Sequence, residues 1–167
     1  ALPISILVDR ALWEKSGHWD KFRENMFTSD SEDKTLAIKP MNCPFHILIF
    51  KSRSRSYREL PLRFAEYGTC YRYEQSGELS GLIRVRCMTM NDAHIYLTQD
   101  QFKAEFTKVM KMYMEFYETF KLKDYTFRLS IRGDENKHKF KGDPEMWDKG
   151  EKLLAEVMDE LKLDYFV

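Results

Sequence analysis

The chain has 167 residues, and its 27 Lys+Arg balance 27 Asp+Glu, so no global charge draws it toward nucleic acid or a membrane surface. The length fits one domain with a sizeable core, and the 14% aromatic share argues against disorder. Three cysteines, Cys43, Cys70 and Cys87, without a C-x-x-C spacing imply a reducing compartment, the cytoplasm, and no disulfide framework; no apolar run is long enough to span a membrane.

Leu2 to Val8 reads as a strand; it lacks the basic segment and cleavage site of a signal peptide. Asp9 is placed to cap a short helix over Arg10–Lys15, ended by Gly17. Trp13 and Trp19 flank Ser16-Gly17-His18. Phe22 to Thr28 holds a second short helical or extended piece, and Ser29 to Asp33 a polar turn. Thr35–Lys39 is a strand stopped by Pro40, and Pro44 opens a helix over Phe45–Lys51. A small basic stretch follows at Lys51, Arg53, Arg55 and Arg58. A hairpin then runs from Leu62 to Leu97, with arms Leu62–Glu74 and Leu82–Leu97 joined by Ser76–Gly81. Gln99–Phe120 is the clearest helix: Phe102, Phe106, Val109, Met110, Tyr113, Phe116, Tyr117 and Phe120 recur at three- and four-residue spacing, with Asp100 as candidate cap. Tyr125–Ile131 alternates as a strand, and Arg132–Gly142 is a charged turn region. Asp143-Pro144-Glu145 starts a helix to about Leu161 with Trp147, Leu153, Leu154 and Val157 inward; Leu163–Val167 opens a further strand. This order reads as mixed helix and strand around an antiparallel sheet.

The hairpin carries the chemistry. Strand side chains alternate faces. In the second arm the odd positions Ile83, Val85, Cys87, Thr89, Asn91, Ala93 and Ile95 form a mostly apolar face, which suits a core. The even positions carry Arg84, Arg86, Met88, Met90, Asp92 and His94, and in the first arm Glu66, Gly68, Cys70, Arg72 and Glu74. A loop centred near Glu78 brings Arg72 and Arg84 together. Arginine forks bind phosphate through charge-assisted bonds, so with Glu74 and Asp92 the face suits a nucleoside triphosphate. A solvated, salt-bridged sheet face explains the same pattern. Cysteine and histidine are zinc ligands, but Cys43 and His94 lie far apart, two ligands do not make a site, and nothing places His18, His46 or His138 with them. Alone, Cys43 reads as a small buried apolar residue and His94 as an ordinary histidine.

Four separated blocks carry a family resemblance: Leu12-Trp13-Glu14-Lys15-Ser16-Gly17-His18-Trp19, Lys39-Pro40-Met41-Asn42-Cys43-Pro44, Ser56-Tyr57-Arg58-Glu59-Leu60-Pro61-Leu62-Arg63 and Asn91-Asp92-Ala93-His94. In this order they resemble the catalytic domain of the threonyl-tRNA synthetase family, over essentially the whole chain. The hairpin resembles motif 2 of class II aminoacyl-tRNA synthetases, reading Tyr71-Arg72-Tyr73-Glu74, the loop, then Arg84, Met88 and Asp92. The implied fold is α+β, a class II synthetase-like antiparallel sheet flanked by helices, incomplete. Residues 1–167 would be the first portion of a catalytic domain, without motif 3 or an anticodon-binding domain.

The resemblance assigns roles. Arg72 is the catalytic residue, holding the ATP α-phosphate and the threonine carboxylate and stabilising charge as the adenylate forms. Glu74 reads the adenine amino group and Arg84 contacts ATP phosphate. Met41, Arg72, Met90 and Asp92 bind the amino acid, Asp92 supporting its amino group or hydroxyl. Cys43 and His94 are two of three Zn2+ ligands, the third lying outside this chain. The zinc binds the threonine amino and hydroxyl groups and so rejects valine. Arg58, Gln75, Ser76 and Glu78 approach tRNA, a contact that needs no global positive charge. The implied reaction uses threonine, tRNA(Thr) and ATP with Mg2+ in a cytoplasmic homodimer, with no membrane, and this chain alone does not complete it.

Departures from the family pattern are Met88 for the motif phenylalanine, Met90 for a common glutamine, Cys87 for a frequent glycine, and Phe45 at a position that is usually small and would crowd the site. The nearest residue to the motif 1 proline expected near Ser5 is Pro3, so the dimer-forming segment is expected to be altered or cut. These departures favour a second reading, a non-catalytic synthetase-like module that binds tRNA, nucleotide or a protein partner. Motif 2 alone also allows the seryl or prolyl types, which the Met41–Pro44 and Asn91–His94 blocks disfavour.

Overall fold

The computed structural model describes residues 4–133 and 142–167, in two compact units, Ala1–Tyr96 and Leu97–Val167. The start of the expected Leu2–Val8 strand, Pro3, most of the expected 132–142 turn region and His138 lie outside the described residues.

The first unit begins with β1 (Leu7–Asp9) and α1 (Arg10–Lys15). Asp9 caps α1 as expected, its carboxylate accepting from the Ala11 N–H at 2.8 Å. Gly17, at φ 75°, makes the left-handed step into α2 (His18–Phe22), a conformation that costs glycine nothing. The turn then tightens into a 3-10 segment, Arg23–Asn25. β2 (Thr28–Ser31) and β3 (Lys34–Ile38) form a hairpin, so three of the five residues of the expected Ser29–Asp33 turn are strand. β3 lies between its neighbours in an antiparallel order β1-β3-β2, pairing Val8 and Thr28 with the same Ala37. This central place explains why Ala37 is fully buried. Trp13, Trp19, Met26 and Phe45 pack with it as the core, and Trp13 meets Phe45 edge-on at 5.8 Å. Phe45 opens no crowding of the candidate site: its ring is in this core.

α3 (Cys43–Lys51) carries Pro44 in its first turn, where the missing N–H costs nothing. β4 (Leu62–Tyr71) and β5 (Cys87–Tyr96) then pair antiparallel over ten residues, from Leu62 opposite Tyr96 to Tyr71 opposite Cys87. The second arm starts later than expected. Ser80 and Arg84 close a tight bend between them, with backbone bonds of 3.0 and 2.8 Å, and Leu82 sits there at φ 66°, fully exposed. The faces are also reversed from expectation. Cys87, Thr89, Asn91 and Ala93 are exposed, whereas even positions of both strands are half-buried or buried. The apolar face of an isolated hairpin does not choose its own cover; here Lys39, Asn42 and His46 meet the polar side chains of the even face.

In the second unit α4 (Gln99–Thr119) is capped by Thr98, not Asp100, because Gln101 completes a capping box with it. The expected strands at Tyr125–Ile131 and Leu163–Val167 shorten to β6 (Phe127–Arg128) and β7 (Tyr165–Phe166), which pair in parallel. α5 (Pro144–Glu160) starts at the expected Asp143 cap. Among the described residues of this unit Met110, Leu129, Val157 and Met158 are the buried hydrophobics, while Trp147, expected inward, stays 38% exposed and lies beneath Arg132. No described helix is long and apolar enough to cross a membrane.

Trp13 has no exposed surface, so Trp13→Ala should destabilise the first unit by about 3–5 kcal/mol. Chemical denaturation followed by circular dichroism measures this; a loss under about 1 kcal/mol would contradict the assigned core.

Candidate functional site

The site forms where the start of α3 faces the even side of the β4–β5 hairpin. Asn42 is the N-cap residue of α3, a position where its side chain ordinarily bonds the first turn. It does not do so here. The fully buried Asn42 amide instead donates to Asp92 Oδ2 at 3.2 Å, and its oxygen lies 3.5 Å from the Cys70 thiol. Gly68 makes room: a Cβ at that position would come within 2.6 Å of the Asn42 amide. Asn42 therefore ties the α3 start to the hairpin, and its neighbour Cys43 is brought up to Asp92.

Asp92 and His94, two apart on β5, point to the same side. The ligand atoms of Cys43, Asp92 and His94 all lie within 4.8 Å of one another, and all three residues are half-buried. Thiolate, carboxylate and imidazole at such spacing are a donor set that suits zinc. Burial, and then the Asp92 carboxylate, push the Cys43 thiol above its ordinary range. Binding a cation would therefore release a proton there.

A second layer lies behind His94. His46, one turn along α3 from Cys43, is 2% exposed, and its Nδ1 lies 2.7 Å from His94 Nδ1. Its other nitrogen, Nε2, is 3.0 Å from Glu66 Oε1. Lys39, also 2% exposed, approaches the second Glu66 oxygen at 3.9 Å. Burial holds the His46 imidazole below the ordinary histidine range, with Glu66 pulling the other way. Glu66 is directly opposite Asp92 in the hairpin register, so each acid needs its own compensation: Lys39 and His46 for one, Asn42 for the other.

The far end of the hairpin holds the arginines. Arg72 donates from Nε to the Pro40 carbonyl at 3.3 Å, and its guanidinium lies 5.9 Å from the Phe22 ring centre. Glu74 is buried and bonds Arg84 at 2.9 Å, while Arg84 also reaches Glu78 at 3.1 Å. The two arginines thus have separate partners, Arg72 the Pro40 carbonyl and Arg84 the Glu74 and Glu78 carboxylates. Met90 and Met88 sit opposite Gly68 and Cys70 on the same face, and Met41 immediately precedes Asn42. Arg58 is exposed on the 3-10 turn Tyr57–Glu59, and Gln75, Ser76 and Glu78 are exposed in the loop beyond β4. Those four are not part of the cluster around Cys43.

Asn42, His46, Glu66 and Gly68 were not among the expected site residues. Glu66 and Gly68 were legible as members of the even face. His46 gave one signal, its place three residues after Cys43 on a helix, which puts both on adjacent turns.

Residues 25–162 match the family described as tRNA synthetase class II core domain (G, H, P, S and T). The chain is 51% identical over 156 residues to the threonine–tRNA ligase of Geobacillus kaustophilus, covering 93% of this chain and 24% of that protein. It is 53% identical over 160 residues to that of Ehrlichia chaffeensis, covering 96% and 25%. It therefore spans about a quarter of the length of these curated relatives. Among solved structures it resembles the RNA binding domain of threonyl-tRNA synthetase from Cryptosporidium parvum, with TM-score 0.86 and 36% identity over 97% of this chain and 39% of that one. A putative threonyl-tRNA synthetase from Aeropyrum pernix superposes with TM-score 0.86 at 33% identity, over 98% and 38%. Likeness to a prolyl-tRNA synthetase from Giardia lamblia, at 23% identity and TM-score 0.55 over 64% of this chain and 23% of that one, concerns the fold alone.

Gly68→Ala should displace Asn42 and destabilise the fold by about 1–3 kcal/mol, whereas Gly77→Ala, whose Cβ meets nothing within 4 Å, should cost less than about 1 kcal/mol. Equal effects in denaturant titrations would contradict the close approach of Asn42.

Proposed function

This chain belongs to the class II tRNA synthetase core-domain family, and from that premise we propose that its parent protein is a threonine–tRNA ligase to which the chain contributes the motif 2 portion of the catalytic domain. The observation that carries the reading is the convergence of Cys43, Asp92 and His94 on one hairpin face. Relatives at about half identity that are named threonine–tRNA ligases support it.

On this reading Cys43 and His94 hold Zn2+, with Asp92 beside them. When bound, the zinc supplies a Lewis-acid centre for the amino acid's donor groups, which distinguishes threonine from isosteric valine. Asn42 holds one Asp92 oxygen, leaving the other for the substrate's amino group or hydroxyl. Met41 and Met90 line the amino-acid side. Arg72 grips the α-phosphate of ATP and the threonine carboxylate. Its charge stabilises the phosphoryl oxygens as negative charge builds during attack by that carboxylate on the α-phosphorus, while the bond from that phosphorus to the β-phosphate oxygen breaks and pyrophosphate leaves, so catalysis there is positioning and electrostatics. ATP enters with Mg2+. Glu74 accepts from the adenine amino group. Arg84 turns toward phosphate; its ion pair with the exposed Glu78 is cheap to exchange, whereas the buried Glu74 needs a new partner, which the adenine amino group supplies. Arg58, Gln75, Ser76 and Glu78 face the tRNA acceptor end. The working form is a cytoplasmic homodimer.

The burial of Phe45 in the core removes one of the departures that favoured a non-catalytic module. Threonine-dependent ATP–pyrophosphate exchange by the full-length protein tests the assignment. Wild type should exchange with threonine and not with proline or serine, and Arg72→Ala should lower kcat/KM roughly 100- to 1000-fold. Exchange undiminished in Arg72→Ala, or absent from wild type, would contradict it. Metal analysis should find zinc in the wild type and a large loss in Cys43→Ala.

A further inference from the structure

We infer that His46 and Glu66 are positioning residues that set the tautomer and ring orientation of His94, presenting its Nε2 to a divalent metal ion. The inference rests on the metal reading of Cys43, Asp92 and His94.

Two imidazole nitrogens 2.7 Å apart need one proton between them: two would clash, and none would oppose two lone pairs. The proton therefore sits on Nδ1 of either His94 or His46. If it is on His46, a neutral His46 has a bare, electron-rich Nε2 only 3.0 Å from the Glu66 carboxylate oxygen. That arrangement is repulsive. If the proton is on His94, His46 accepts at Nδ1 and carries its own proton on Nε2, the nitrogen nearer Glu66. The carboxylate thus selects the second arrangement, and His94 is left with a bare Nε2 for a metal. The Glu66 contact lies outside linear hydrogen-bond geometry, so it acts chiefly through charge. Lys39 beside the other Glu66 oxygen balances that charge in the buried layer. Outer carboxylate and imidazole groups of this kind orient metal-bound histidine and raise its basicity.

The alternative role for His46 is packing alone: its ring meets His94 and Phe64 edge-on at 4.8 and 5.9 Å. Two substitutions separate the roles. His46→Leu keeps bulk and removes the acceptor. His46→Asn loses bulk but places an amide oxygen near the position of Nδ1. Zinc affinity of the full-length protein, measured by competition with a chromophoric chelator, gives the readout without any catalytic assay. His46→Leu should bind Zn2+ about 10- to 100-fold more weakly, His46→Asn should recover to within about threefold of wild type, and Glu66→Gln should fall between them. Cobalt substituted for zinc should show an altered visible spectrum in His46→Leu and a near-native one in His46→Asn.

Wild-type affinity in His46→Leu would overturn the inference, as would His46→Asn binding no better than His46→Leu. Should His46→Leu fail to fold, His46→Asn and Glu66→Gln still decide: tight zinc in the former with weakened zinc in the latter supports the relay, and any other pairing overturns it. A wild-type protein that binds no zinc would overturn the metal reading itself, a result distinct from these.

Discussion

Asn42 gives up the bond its position at a helix start would normally offer and spends its amide on the hairpin instead. Much of the site depends on that exchange. It fixes the start of α3 against β5, so that Cys43 and His46, on one side of a nine-residue helix, face Asp92 and His94 on a strand nearly fifty residues later. The approach is possible only because Gly68 has no side chain to occupy the space. The amide is buried, and an unpaired polar group there would cost about 1–3 kcal/mol, so the pairing with Asp92 is stabilising as well as directional.

The same face poses a charge problem. Glu66 and Asp92 are directly opposed across the hairpin, and like charges so placed repel. The fold separates their environments. Glu66 turns toward Lys39 and His46, whereas Asp92 turns toward Asn42 and the donor cluster. One acid becomes part of a supporting layer and the other is left facing the site. At the hairpin's far end the buried Glu74 is compensated by Arg84, whose half-exposed guanidinium also reaches the exposed Glu78, the partner it can exchange at little cost.

Local chemistry was legible in the sequence and long-range contact was not. Asp9 before Arg10–Lys15 and Asp143 before Pro144 are caps readable from neighbours alone, and both hold. Thr98 was passed over for Asp100 because either residue type can cap; the Gln101 side chain decides. The hairpin and its two chemically distinct faces followed from alternation, but which face is covered depends on α3 and on Lys39 just after β3, which the strand pattern does not contain. The zinc pairing of Cys43 with His94 came only from family resemblance, and Asp92 and His46 joined them only once the chain was folded. Strand lengths in the second unit were overestimated because apolar alternation at Tyr125–Ile131 does not require a ladder partner for every residue, and only Phe127 and Arg128 find one.

The central claim is that a cysteine and a histidine distant in sequence share one zinc ion at the foot of α3. X-ray absorption at the zinc edge of the loaded full-length protein tests it most directly. A single sulfur scatterer is expected at about 2.3 Å, with the remaining ligand atoms nitrogen or oxygen at about 2.0–2.2 Å and the sulfur vanishing in Cys43→Ala. Zinc bound without sulfur, or with two or more sulfurs, would contradict it.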